Sequence, residues 1–255
     1  MGGGGFTMEP ENAALDEFIL TLAAKPVPRL LFLPTASGDA ERQVAAFRVT
    51  YGDRPCQATE LSLFRLGESG GISLRDLVLA QDIVLVGGGS MRSMLAIWRE
   101  YGLDVILRES WERGVVLAGL SAGAMCWFAG GVTKSTGIPR PVDGLGLLPF
   151  SLSVHADNAR ERLPVYEAAV AADVLPAGWA ADDGVGLLFR GDRLERVVTS
   201  RPGTRAVRVA RTADGDLVRT PILPELLSAA PLAERAVDGD VLEFRRHTAA
   251  RRAAR

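Results

Sequence analysis

The stretch Val115-Val116-Leu117-Ala118-Gly119-Leu120-Ser121-Ala122-Gly123-Ala124-Met125-Cys126-Trp127-Phe128 reads as a buried strand, a sharp Gly-x-Ser-x-Gly turn and the opening of a helix. A turn of this kind stands a serine hydroxyl at the end of a sheet, with backbone N–H groups beside it that can hold an oxyanion. Gly and Ser are also ordinary turn residues, so the strand–turn–helix context is what makes Ser121 a candidate nucleophile. On either side of this stretch, apolar strands alternate with amphipathic helices. Residues 29–35, 58–63, 82–86 and 115–120 read as strands, and 41–51, 91–101 and 105–113 as helices. Met94, Leu95, Ile97 and Trp98 share one helical face. This alternation predicts an α/β fold with a mostly parallel, doubly wound sheet covered on both faces. The second half is richer in strands, at 179–181, 186–190, 193–200 and 206–211, with turns at Gly191-Asp192 and Arg201-Pro202-Gly203.

Composition narrows the function classes. The chain has 255 residues, is 47% hydrophobic and carries a formal charge of −2, so it has no electrostatic footprint for nucleic acid or an anionic membrane. Two cysteines, Cys56 and Cys126, write neither a disulfide framework nor a CxxC metal site. Two histidines make a zinc site on the usual ligands improbable, and no metal or cofactor is expected. No apolar run approaches the roughly 20 residues of a membrane span. No signal segment opens the chain, so the expected setting is the reducing cytoplasm. Residues 1–230 are expected to form one domain, and 231–255 an extension ending in a basic, flexible tail. The opening Met1-Gly2-Gly3-Gly4-Gly5-Phe6 looks like the loop after a first strand, although no strand precedes it. Either the sheet lacks that strand or the natural start lies upstream.

A serine nucleophile needs a base. His247 lies in the basic tail, which leaves His155, at a strand end after a break at Pro149. The base needs an acid, and Asp183 or Asp182 in Asp182-Asp183-Gly184 is the best placed, with Asp143 and Asp157 as alternatives. Oxyanion donors are the N–H groups of Ala122 and of Gly88 or Gly89 in Gly87-Gly88-Gly89-Ser90. That loop lacks both the P-loop Lys-Ser/Thr and the dinucleotide glycine spacing, which argues against nucleotide binding.

Taken in order, these pieces resemble the peptidase E (aspartyl dipeptidase) family of serine peptidases, which includes cyanophycinase. The matching residues are Gly2 to Pro10, Phe32-Leu33-Pro34-Thr35-Ala36, Val86-Gly87-Gly88-Gly89 with Met94 to Trp98, and Gly119 to Ala124 with Cys126-Trp127-Phe128. They continue through Gly144 to Pro149, His155, Glu161-Arg162 with Pro164 and Tyr166, and Ala181-Asp182-Asp183-Gly184. The resemblance implies a class I glutamine amidotransferase-like sheet and a Ser121-His155-Asp183 triad. It also implies oxyanion donors at Gly88 and Ala122, a short peptide substrate such as an N-terminal aspartyl dipeptide, and a monomer or homodimer. Arg162 is the candidate for the substrate's carboxylate. The chain departs from the family pattern at Ser90, where relatives carry Asn, and at Lys134, where they carry Asp. It departs again at Ala156, where an aromatic is usual. Ser90 and Lys134 are therefore candidates for altered substrate contacts. A binding protein without turnover and a β-aspartyl hydrolase are the competing readings.

Overall fold

The computed structural model describes residues 1–68, 73–158 and 161–228. The proposed 231–255 extension lies outside the described residues. The chain opens with helix α1 (Ala14–Thr21), strand β1 (Arg29–Leu33), α2 (Glu41–Gly52), β2 (Gln57–Glu60), α3 (Leu74–Leu79) and β3 (Ile83–Val86). It continues through α4 (Met91–Glu100), α5 (Leu103–Glu112), β4 (Val116–Gly119) and the short α6 (Ala122–Met125). Next come β5 (Phe128–Thr133), β6 (Arg140–Asp143), β7 (Leu148–Val154), α7 (Arg162–Ala171), β8 (Gly178–Ala181) and β9 (Val185–Arg190). The described part then continues with β10 (Arg193–Thr199), β11 (Ala206–Arg211), β12 (Leu217–Ile222) and β13 (Glu225–Leu226).

Among the described residues the strands form three sheets, in the orders β2-β1-β3-β4, β13-β10-β9 and β12-β11-β8-β7-β5-β6. The first is wholly parallel and is covered on both faces, as the alternation of strands and helices predicts. Its inner strands β1 and β3 are apolar at successive positions because successive side chains meet opposite helical layers. Leu31, Leu33, Val84 and Val86 pack with Met91, Met94 and Trp98. Leu30, Phe32, Ile83 and Leu85 pack with Phe6, Phe47 and Tyr51 on the other side.

Residues 128–154 hold β5 and β6, which periodicity did not reveal, and β7, the strand expected to end at His155. Gly130 and Gly131 interrupt the apolar pattern of β5, yet they are what lets neighbours close in: a Cβ on Gly130 would lie 2.7 Å from Leu175. The break expected at Pro149 is instead a residue inside β7. Proline has no N–H for the ladder, and it sits where the β5–β7 register slips, between Phe128↔Leu148 and Gly130↔Ser151.

The glycine-rich start is anchored by Phe6, edge-on to Phe32 at 5.5 Å and to Tyr51 at 5.9 Å. Beneath it, the buried Asp16 carboxylate accepts from Tyr51 Oη–H (2.8 Å) and Phe6 N–H (3.3 Å). Burial raises its pKa from 3.8 to about 6, against the pull of those hydrogen bonds. The folded state therefore binds a proton that the unfolded chain has lost between these two values, so this group's contribution falls as pH rises from about 4 to 6. We expect Asp16→Asn to remove that slope. In urea titrations at pH 4 and pH 7, the parent's drop in unfolding free energy should exceed the variant's by about 2–3 kcal/mol.

Candidate active site

Ser121 stands one residue, Leu120, past the end of β4 and holds φ 53°, ψ −112°, a conformation an L-residue rarely adopts. The two glycines of Gly-x-Ser-x-Gly explain how the turn closes. A Cβ on Gly119 would collide with the Gly123 carbonyl, and one on Gly123 with the Val86 carbonyl. The elbow is tied down by Ser121 N–H donating to Met1 O (3.2 Å) and Ala124 N–H donating to Ser121 O (3.0 Å).

The partners come from the ends of two other strands. β7 and β8 are parallel neighbours in register, with Val154 opposite Ala181, so the residues just beyond each end lie side by side. His155 turns out of β7 with φ 58°, and Ala156 N–H donates to Ala181 O at 3.0 Å. Ser121 Oγ lies 2.8 Å from His155 Nε2, and His155 Nδ1 contacts Asp183 Oδ1. With the proton on Nδ1 donated to the carboxylate, Nε2 is left to accept from the serine hydroxyl. Asp183 is buried and the imidazole about one-fifth exposed, so the pair is screened while the hydroxyl side stays reachable.

Of Asp143, Asp157, Asp182 and Asp183, it is Asp183 that meets the His155 ring. Asp182 accepts from Arg205 N–H (2.9 Å), Asp157 accepts from Asp183 N–H (3.0 Å), and Asp143 ends the exposed edge strand β6. Gly88 sits against Ser121, since a Cβ there would be 3.4 Å from the serine's Cβ. Among the described residues, neither Gly88 N–H nor Ala122 N–H donates to another protein group. The other three candidates have partners of their own. Ser90 Oγ caps α4 by accepting from Ser93 N–H (3.3 Å). Lys134 pairs with Glu161 at 2.6 Å on the surface. Arg162 Nη1 donates to Val154 O (3.1 Å), while its Nε is buried without a partner among the described residues. Burial pulls the Arg162 guanidinium below its usual range, and nearby Asp183 acts in the opposite direction. Among the described residues, no cluster of three His, Cys, Asp or Glu could hold a metal ion, and no helix is long and apolar enough to cross a membrane.

The family model for Peptidase family S51 matches residues 1–197. The chain belongs to peptidase family S51. This S51 chain is 43% identical over 222 residues to the uncharacterized peptidase YgaJ of Bacillus subtilis (strain 168), covering 87% of this chain and 95% of that one. Its fold is similar to the crystal structure of a peptidase from an acI-B1 Actinobacterium, with a TM-score of 0.63 and 17% identity over 88% of this chain and 92% of the other.

Sequence reasoning about the S51 chain missed what Gly3, Glu9 and Arg201 do. A Cβ on Gly3 would run into Asp183 Oδ1 and come within 2.8 Å of His155 Cε1, so only glycine lets the backbone pass behind the pair. Arg201 Nε pairs with Glu9 at 2.8 Å, and Arg201 Nη2 lies 3.8 Å from Asp157, which itself holds the Asp183 N–H. Arg201 reads in the sequence as part of a turn, and no local pattern signals a role in supporting Asp183.

Proposed function

We propose that this chain is a cytoplasmic serine peptidase acting on short peptides through Ser121, His155 and Asp183. The observation that carries the reading is the continuous hydrogen-bonded path from Ser121 Oγ through the imidazole to Asp183, set at a strained elbow in a member of a peptidase family. His155 Nε2 takes the hydroxyl proton as Ser121 Oγ attacks the scissile carbonyl carbon. Asp183 keeps the ring oriented and stabilises the imidazolium that forms. The N–H groups of Ala122 and Gly88 receive the oxyanion of the tetrahedral intermediate. The imidazolium then protonates the leaving amine, and an acyl-Ser121 remains. Water, deprotonated by His155, attacks this ester and releases the acid, restoring Ser121.

N-terminal aspartyl dipeptides are the first substrates to test. Arg162 is a half-buried cation beside this site whose Nε has no partner among the described residues, which suits it to a substrate carboxylate. Lys134 and Ser90 would meet substrate only by giving up Glu161 and the α4 cap.

The test is a dipeptide panel beginning with Asp, Ala, Leu or Arg, with a fluorophosphonate labelling run in parallel. Turnover favouring Asp, with the label recovered on Ser121, is the expected outcome. Turnover of the other members with the same label would keep the nucleophile and reject the aspartyl preference. No turnover and no label would reject the peptidase reading in favour of a binding role.

A further inference from the structure

The glycine loop after β3 is bonded to backbone at its two ends. Gly87 N–H donates to Leu33 O (3.1 Å) and Ser90 N–H donates to Ala36 O (2.7 Å). Between these anchors stands Gly88, whose N–H donates to no protein group among the described residues and is left for an oxyanion. Gly87 and Gly88 carry no Cβ, so the peptide joining them can turn over at little steric cost. A turned peptide would offer a carbonyl oxygen to the developing negative charge, where an N–H is needed.

One side chain grips the loop at this point. Gln43 Nε2 donates to Gly88 O at 3.1 Å. The amide nitrogen faces that atom because a carbonyl oxygen only accepts. Gln43 reaches the loop from the first turn of α2, on the helical face it shares with Phe47 and Tyr51, four and eight residues on. Those two rings are buried with Phe6 and Phe32, which seats α2 against the sheet. Gly87 leaves room for the amide, since a Cβ there would lie 2.7 Å from Gln43 Oε1. That oxygen is buried and has no hydrogen-bond partner among the described residues. Burying it unpaired costs stability, and an apolar side chain would fill the space without that cost, so packing alone does not account for an amide here.

We propose that Gln43 is a positioning residue for the oxyanion site. Its amide fixes Gly88 O on one side while Leu33 O fixes Gly87 N–H on the other, so the Gly88 N–H between them is kept turned toward the carbonyl that Ser121 attacks. The loop is close enough for this, because a Cβ on Gly88 would lie 3.4 Å from the Ser121 Cβ. Gln43 acts through Gly88 and not on the substrate. The inference rests on the peptidase reading of Ser121 and deepens it.

The experiment compares the full chain with Gln43→Leu and Gln43→Glu. Gln43→Leu should lower kcat by about 10–100-fold with KM within about twofold of the parent's, and should slow fluorophosphonate labelling of Ser121 by a similar factor. Gln43→Glu should be as slow at about pH 8, where a carboxylate has no proton to donate. Relative to the parent it should recover about tenfold at about pH 5.5, as the carboxyl gains one. In protein labelled with 15N-glycine, the Gly88 amide resonance should be single in the parent and doubled or broadened in Gln43→Leu, a readout that needs no turnover. An unchanged Gly88 resonance, or parental kcat in Gln43→Leu, overturns the proposal and leaves the peptidase reading standing. A pH-independent ratio of Gln43→Glu to parent overturns it too, since lost packing alone would give that result. A parent that neither turns over nor labels rejects the peptidase reading instead, and the Gly88 resonance then decides by itself whether Gln43 holds the loop.

Discussion

Replacing Ser121 by alanine should lower kcat for the best dipeptide by about 10⁴–10⁶-fold. The size of this effect follows from what remains. The imidazole and the two N–H donors could still polarise a carbonyl and activate a water, but the acyl-enzyme route is closed. The exchange removes one oxygen and its 2.8 Å bond to His155 Nε2, while alanine can occupy the same backbone position. The fold should therefore hold, with a Tm shift of no more than a few degrees. Stopped assays on freshly purified variant, with circular dichroism as the check on folding, would measure it. Activity within tenfold of the parent would place the nucleophile elsewhere.

The second large effect separates the carboxylates. Asp183→Asn should reduce kcat by about 10⁴-fold with KM little changed, because an amide in place of the carboxylate allows the wrong tautomer and leaves the imidazolium without its counter-charge. Asp157→Asn should cost less than about tenfold. The amide introduced there would keep an oxygen to accept the Asp183 N–H, so the loop retains its hydrogen bond and only the weak approach of Arg201 is lost. Kinetics of both variants on one substrate give the comparison directly. Equal losses would make Asp157 as important as the residue that touches the ring.

Much of this architecture was legible in the chain. Residues 82–86 and 115–120 are mostly apolar and are followed closely by glycines, and such runs fit strands buried on both faces. Having so few histidines left His155 as the partner for Ser121. β5 and the first part of β7 were hidden because Gly130, Gly131 and Pro149 break the local pattern. Their pairing rests on backbone approach between segments far apart in sequence, and the hydrophobic period carries no trace of it.

By itself, the sequence determined the α/β class and the Gly-x-Ser-x-Gly turn and singled out Ser121 and His155 as candidates, since these depend on local periodicity and on elimination. Only the tertiary structure decided which aspartate meets His155. Four candidates differ little in local context, and the parallel register of β7 against β8 brings Asp183 to the ring while Asp182 and Asp157 bond to backbone N–H groups. The tertiary structure also decided that Gly3 passes behind that pair and that Gln43 reaches the Gly88 carbonyl. Both are contacts between segments distant along the chain, and side-chain order alone does not encode them.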